Sequence, residues 1–425
     1  MRQSRFQQLL ASGPVILDGA TGTQMQAAGM PAGACPEIWV LDHPDVLCQL
    51  QEAYMHAGAS IIYAFTFGAN RIKLVGHFHN DDKIAQLNER LAALSIQTRD
   101  AFVRSHPGRT VLIAGDLAPT GHFLRPAGDL DFDDLVDIYR RQVIGQIAAG
   151  VDLFVVETMM DLAQTRAAVL AVRQECDLPV MVSMTVAENG KTLAGNTPLA
   201  ALLTLAALGV DAFGLNCSFG PEKLSDLIIP LLAVSPIPLF IKPNAGLPQL
   251  IDGKTVFPMD AAVFAASMKP LADAGIALLG GCCGTGPAHI AALKDAIVSS
   301  GLQNIGRSAP ADCGRWICSS RSCIEWDSQA VLPVVPANDL DRLIDLALDC
   351  MDEQPVAVIL DFSSLRMDQT RQLSELLQEL QMMLPVPLIF RSEQSDMLHI
   401  LLRYYHGRAG VQTSLPNAPY GALIG

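Results

Sequence analysis

Two adjacent cysteines in Gly280-Gly281-Cys282-Cys283-Gly284-Thr285 and a third in Asn216-Cys217-Ser218 are the residues whose types and spacing point most directly to chemistry. Neighbouring cysteines do not readily close a disulfide on each other, because a bridge needs facing Cβ vectors. Two thiolates aimed at one point fit a shared soft metal. Three sulfur ligands leave a tetrahedral zinc ion one position short, and an open fourth position marks a zinc site that handles substrate, since structural sites are closed by four protein ligands. The substrate expected there is itself a thiol. With an ordinary pKa near ~8.5 a thiol is only a few per cent ionised at neutral pH, and metal coordination removes its proton. Three protein thiolates also keep the ion electron-rich, so the chemistry expected is S-alkylation by in-line displacement; a hydrolytic zinc site more often uses His and carboxylate ligands.

The other cysteines carry less. Cys48, Cys176 and Cys350 read as small hydrophobes, and Cys313, Cys318 and Cys323, spaced by five and not as Cys-x-x-Cys, predict no second metal site. Asp18 opens Asp18-Gly19-Ala20-Thr21-Gly22-Thr23, a glycine-rich turn whose backbone N–H groups at Gly19 and Ala20 could cradle an anion such as an amino-acid carboxylate. A turn-capping aspartate is the plainer alternative. Glu157 ends the apolar run Leu153-Phe154-Val155-Val156, where a carboxylate is costly unless paired. The ammonium of a bound amino acid would serve, as would a local arginine such as Arg166.

Eight short apolar runs bounded by Gly and Pro, at 14–18, 59–66, 110–117, 151–157, 179–186, 210–216, 237–243 and 275–281, read as strands with helices between them. Ala57-Gly58-Ala59, Ala149-Gly150-Val151, Leu208-Gly209-Val210 and Ala274-Gly275-Ile276 repeat the same signal of a helix end followed by a strand. Eight β-then-α units predict an α/β TIM barrel, whose chemistry gathers at the C-terminal ends of its strands. Asp18, Thr66, Asp116, Glu157, Asn216, Cys217, Asn244, Cys282 and Cys283 all fall there. The barrel is expected over 1–305, a linker over 306–330, and a smaller α/β half-barrel over 331–425 with strands near 331–335, 355–361, 386–391 and 408–413. Exposed edges and one bare apolar face predict that this half-barrel is covered by the barrel or by a second copy, the latter giving a homo-oligomer.

Composition limits the partners. The formal net charge of -14 opposes binding to nucleic acid. No apolar run reaches the ~18 residues of a spanning helix, so no membrane partner is expected. The first residues lack a signal peptide, and ten cysteines without small-secreted-domain spacing fit a reducing, cytoplasmic setting.

Asp18 through Thr23, Phe65-Thr66-Phe67-Gly68-Ala69-Asn70, Glu157-Thr158, Asn216-Cys217-Ser218, Lys242-Pro243-Asn244-Ala245-Gly246 and Gly280 through Thr285 together resemble the motifs of the homocysteine S-methyltransferase family over roughly residues 10 to 300. The resemblance implies zinc on Cys217, Cys282 and Cys283, with homocysteine held by Asp18, Glu157 and the backbone around Gly19 and Ala20. Within the family, Thr66 to Leu74 is most similar to the homocysteine-binding domain of cobalamin-dependent methionine synthase. Pro387 to Phe390 and Leu401 to Arg408 resemble the middle of a pterin-binding domain, so the last segment is expected to be a truncated version of it. Its folate motif is not recognisable near Val334 to Asn338, and Phe390-Arg391 stand where an aspartate is usual. No corrinoid-binding Asp-x-His-x-x-Gly motif occurs, which implies methylcobalamin delivered on a separate corrinoid protein.

Overall fold

Helices end and strands begin where the Ala-Gly repeat predicts. In the computed structural model, which describes residues 4–77, 80–251, 254–299, 313–327, 329–365, 370–415 and 422–423, Gly58, Gly150 and Gly275 adopt left-handed φ of 107°, 93° and 107° and cap the helices before them. Only glycine takes that conformation without a Cβ clash. All eight expected strands are present: β1 Val15–Ile16, β2 Ile61–Tyr63, β3 Leu112–Leu117, β4 Leu153–Met159, β5 Val180–Met184, β6 Ala212–Asn216, β7 Leu239–Lys242 and β8 Leu278–Leu279. They pair in parallel in sequence order, β8 joins β1, and a parallel bridge between Leu17 and Ile61 links the two ends into a TIM barrel.

Strand alternation sets what lies inside. Leu17, Tyr63, Ala114, Val155, Met181 and Phe240 fill the barrel interior. Two residues further along their strands the same face carries Asp116, Glu157, Ser183 and Lys242, so the floor is apolar and the mouth polar. The helices α1 Pro44–Ala57, α2 Asp81–Ser105, α3 Phe132–Ala149, α4 Leu162–Glu175, α5 Pro198–Ala207, α6 Pro221–Ile228, α7 Ala261–Ala274 and α8 Pro287–Ser299 surround the strands. Fully buried Tyr54, Phe102, Tyr139 and Phe264 seal the layer between, each contributing about 2 kcal/mol by apolar burial.

The second unit is a five-stranded parallel sheet in sequence order: β11 Val334–Pro336, β12 Val358–Asp361, β13 Leu388–Arg391, β14 Gly410–Gln412 and β15 Ala422–Leu423. The fifth strand was not apparent in the sequence. Leu360, Phe390 and Val411 pack on one side against helices α9 Leu343–Asp349, α10 Thr370–Met383 and α11 Ser395–Tyr404. Within the stretch expected as a linker, β9 Trp316–Cys318 and β10 Cys323–Glu325 form an antiparallel hairpin; residues 306–312 and the boundary near 305 lie outside the described residues. Ile317 and Trp326 of this hairpin cover Ala357, Ile359 and Ile389 on the sheet's other side. Its opposite face meets Ala200 and Leu203 of α5 through Cys313 and Cys318.

The sheet unit also packs on the barrel through α11. Arg166 of α4, 1% exposed, donates to the carbonyls of Leu402 at 2.8 Å and Arg403 at 3.1 Å. Asp133 of α3 accepts from Arg403 and from the Tyr404 hydroxyl, both at 2.5 Å. Among the described residues no helix is long and apolar enough to cross a membrane.

Candidate active site at the barrel mouth

Cys217 follows β6 directly, with Cys217 and Ser218 at φ of 60° and 59°. Two successive non-glycine residues in the left-handed region are strained. The turn is held by the Cys217 N–H donating to Lys242 at 3.0 Å and by the Ser218 hydroxyl, paired with Thr185. Cys282 and Cys283 follow β8. Cys282 donates its N–H to the Pro243 carbonyl at 2.7 Å, and Ala245 donates to the Cys283 carbonyl at 2.9 Å. Gly284, at φ 80°, lies where a Cβ would strike the Phe257 side chain.

These two turns bring the three sulfurs together, each within 4.8 Å of the others. With thiols alone, Cys217 is lowered to about 3 because Cys282 and then Cys283 donate hydrogen bonds to its sulfur. Cys282 is raised by its bonds to Cys217 and Cys283, and Cys283 is pushed up to about 12 by its bond to Cys217. One thiolate supported by two thiols is a soft donor set that suits zinc, since a metal replaces the two shared protons. Asn216 steadies the cluster, donating to Thr158 Oγ1 at 2.7 Å, to Glu157 at 3.4 Å and to Cys282 Sγ at 3.9 Å.

Beside the sulfurs lies a charged group that the sequence displayed only in pieces. Asp18, 1% exposed, accepts from the Tyr63 N–H at 2.8 Å and from the Lys242 ammonium at 2.5 Å. Lys242 also sits 3.6 Å from the centre of the Tyr63 ring, a cation–π arrangement. Its pKa is raised: burial lowers it, but Asp18 and Glu157 outweigh that. Both Asp18 oxygens are therefore engaged within the protein. The Ala20 N–H is given to Thr285 at 3.1 Å. A Cβ at Gly19 would come within 2.7 Å of the Tyr54 hydroxyl, so the turn requires glycine there.

Glu157 remains partly open, and burial, with Asp18 and Cys217 nearby, raises its pKa to about 7 against the lowering effect of Lys242. Asp116 is buried, its Oδ1 has no hydrogen-bond partner among the described residues, and its pKa is raised by burial and by Glu157. Sequence reasoning noted Asp116 as a strand end and Lys242 as part of a motif, without a role for either. The available signal was the one that singled out Glu157, a charge closing an apolar strand, as in Leu239-Phe240-Ile241-Lys242.

Residues 15–297 match the family model for homocysteine S-methyltransferase. Among curated proteins, methionine synthase from Mycobacterium tuberculosis is 34% identical over 303 residues, covering 68% of this chain and 25% of that protein. Methionine synthase from Mycobacterium leprae is 35% identical over 300 residues, covering 68% and 24%. The chain thus spans about a quarter of the length of these relatives. Among solved structures, the homocysteine methyltransferase MmuM from Escherichia coli, metallated form, aligns with TM-score 0.57 and 23% identity over 67% of this chain and 96% of that one, a likeness of fold. On the strength of the match over residues 15–297, this chain belongs to the homocysteine S-methyltransferase family.

Proposed function

We propose that this chain methylates the thiol of homocysteine to give methionine, using zinc held by Cys217, Cys282 and Cys283 and a methyl group delivered as methylcobalamin on a separate corrinoid protein. The observation that carries the reading is the convergence of three sulfurs within 4.8 Å of one another at the mouth of the barrel. Zinc bound there would keep an incoming fourth sulfur deprotonated and nucleophilic at neutral pH. The amino-acid part of homocysteine lies against Asp18, Gly19, Ala20 and Glu157. Because Tyr63 and Lys242 engage both Asp18 oxygens, Asp18 acts by fixing the strand ends, and the charge that meets the ammonium is that of Glu157, backed by Asp116. The carboxylate meets the Gly19 N–H, since Thr285 already takes that of Ala20.

The test is a donor screen on zinc-loaded protein with homocysteine. Methionine should form with a methylcobalamin-carrying protein; turnover with S-methylmethionine or betaine alone would shift the donor to a small sulfonium or betaine. No turnover with any donor, despite zinc and homocysteine binding, would make the chain a non-catalytic binding subunit. We further propose that 1–305 and 331–425 are separate domains joined through 306–330, that the second serves assembly, including any homo-oligomer, and that the protein works in the cytoplasm.

Glu157 makes the pocket pH-dependent. Its raised pKa of about 7 means that it gains the charge needed for an ammonium only as pH rises through neutrality. Methionine, whose thioether releases no thiol proton, should therefore bind more tightly at pH 8 than at pH 6, by about 5- to 10-fold if one carboxyl is responsible. In Glu157→Gln that dependence should flatten; an unchanged slope by calorimetry would remove Glu157 from the ammonium site.

A further inference from the structure

The hairpin between the barrel and the half-barrel holds a second pair of sulfurs, unrelated to the mouth. Cys318 and Cys323 are directly opposite in the antiparallel register of β9 and β10. Trp326 N–H donates to Arg315 at 2.7 Å and Ser319 N–H to Ser322 at 2.9 Å, so 315/326 and 319/322 are hydrogen-bonded pairs. Antiparallel alternation then makes 318/323 a non-hydrogen-bonded pair, with Cα atoms about 4.5 Å apart. That separation lies inside the span a disulfide bridges. Both thiols are free. Their burial is unequal: Cys318 is fully enclosed and Cys323 is partly exposed.

We infer that Cys318 and Cys323 form a thiol-modification site that takes a low-molecular-weight disulfide and closes into an intramolecular bridge. The exposed Cys323, as thiolate, attacks one sulfur of the small disulfide, forming a mixed disulfide and expelling one small thiolate. Cys318 then loses its proton and attacks the Cys323 sulfur, displacing the second small thiolate. The protein loses two electrons and two protons, and the small disulfide leaves as two thiols. The bridge would fasten the two strands of the element wedged between α5 on one side and the sheet at Ile359 and Ile389 on the other. It is therefore a covalent lock on the layer joining the two units, and it does not depend on the methyl-transfer reading.

The experiment equilibrates the full-length zinc-loaded chain with glutathione buffers of rising disulfide fraction, traps thiols with acid and an alkylating reagent, and maps the cysteines. Wild type should lose alkylation at Cys318 and Cys323 together, with two hydrogens missing from the peptide that holds both and no glutathione retained. Cys318→Ser should stop at a glutathione adduct on Cys323, and Cys323→Ser should leave Cys318 alkylatable after denaturation. Far-ultraviolet circular dichroism verifies that each variant is folded, and the two variants substitute for one another if one fails. Alkylation of both cysteines across the whole series, or a bridge from Cys318 to Cys313, would overturn the inference.

Discussion

Cys217→Ser should fail to hold the proposed zinc and should form methionine about 10³-fold more slowly than wild type. Without activation, a thiol near pKa ~8.5 is ionised only to a few per cent at neutral pH, which costs about 30-fold. Loss of the fixed sulfur position costs on the order of 10²-fold more. Serine keeps the size of the side chain and meets the same φ of 60°, so the barrel should fold. Zinc per chain by atomic spectroscopy and initial rates of methionine formation test both halves together. One zinc per chain and wild-type rates in this variant would end the three-sulfur reading.

Lys242→Met should produce the largest change in stability. Asp18 is 1% exposed, and this substitution leaves its carboxylate buried beside Glu157 without the ammonium 2.5 Å away. Breaking a buried pair from one side costs about 3–5 kcal/mol, which lowers Tm by about 5–8 °C in a domain of this size. The raised Lys242 pKa places its contribution wholly below the unfolded value near 10.5, to be lost only as pH rises through the folded value. Lys242 stays charged from pH 6 to pH 8, but Glu157, which the ammonium helps to ionise near pH 7, loses that partner, so the deficit should be larger at pH 8 than at pH 6. Adding Asp18→Asn to Lys242→Met removes the stranded charge and should recover part of the loss in calorimetry. A single variant with wild-type Tm would show that the pair does not hold the strand ends.

Both sites illustrate what a chain discloses before it folds. The barrel was legible because each strand is a short apolar run opened by a helix-ending glycine, a signal that repeats at Gly58, Gly150, Gly209 and Gly275. The three cysteines were legible because strand ends converge in a closed barrel whatever their separation in sequence. Pairing among charges was not. Asp18 follows β1, Lys242 ends β7 and Tyr63 ends β2, and only closure of the sheet decides that they meet. The hairpin was hidden for another reason: its strands span three residues each, too few to establish a period, and the interval of five between Cys318 and Cys323 reveals a partner only once the turn at Ser320 and Arg321 is known.

The contact between Arg166 and α11 bears on the order in which the molecule assembles. The last turn of a helix has carbonyls with no partner of its own, and here those of Leu402 and Arg403 are completed by a guanidinium from α4, more than two hundred residues earlier in the chain. Synthesis delivers the earlier part first. The barrel can thus stand ready as a template when the later helix emerges from the ribosome, and a defect in the first body would reach the second as a helix unable to finish its terminus.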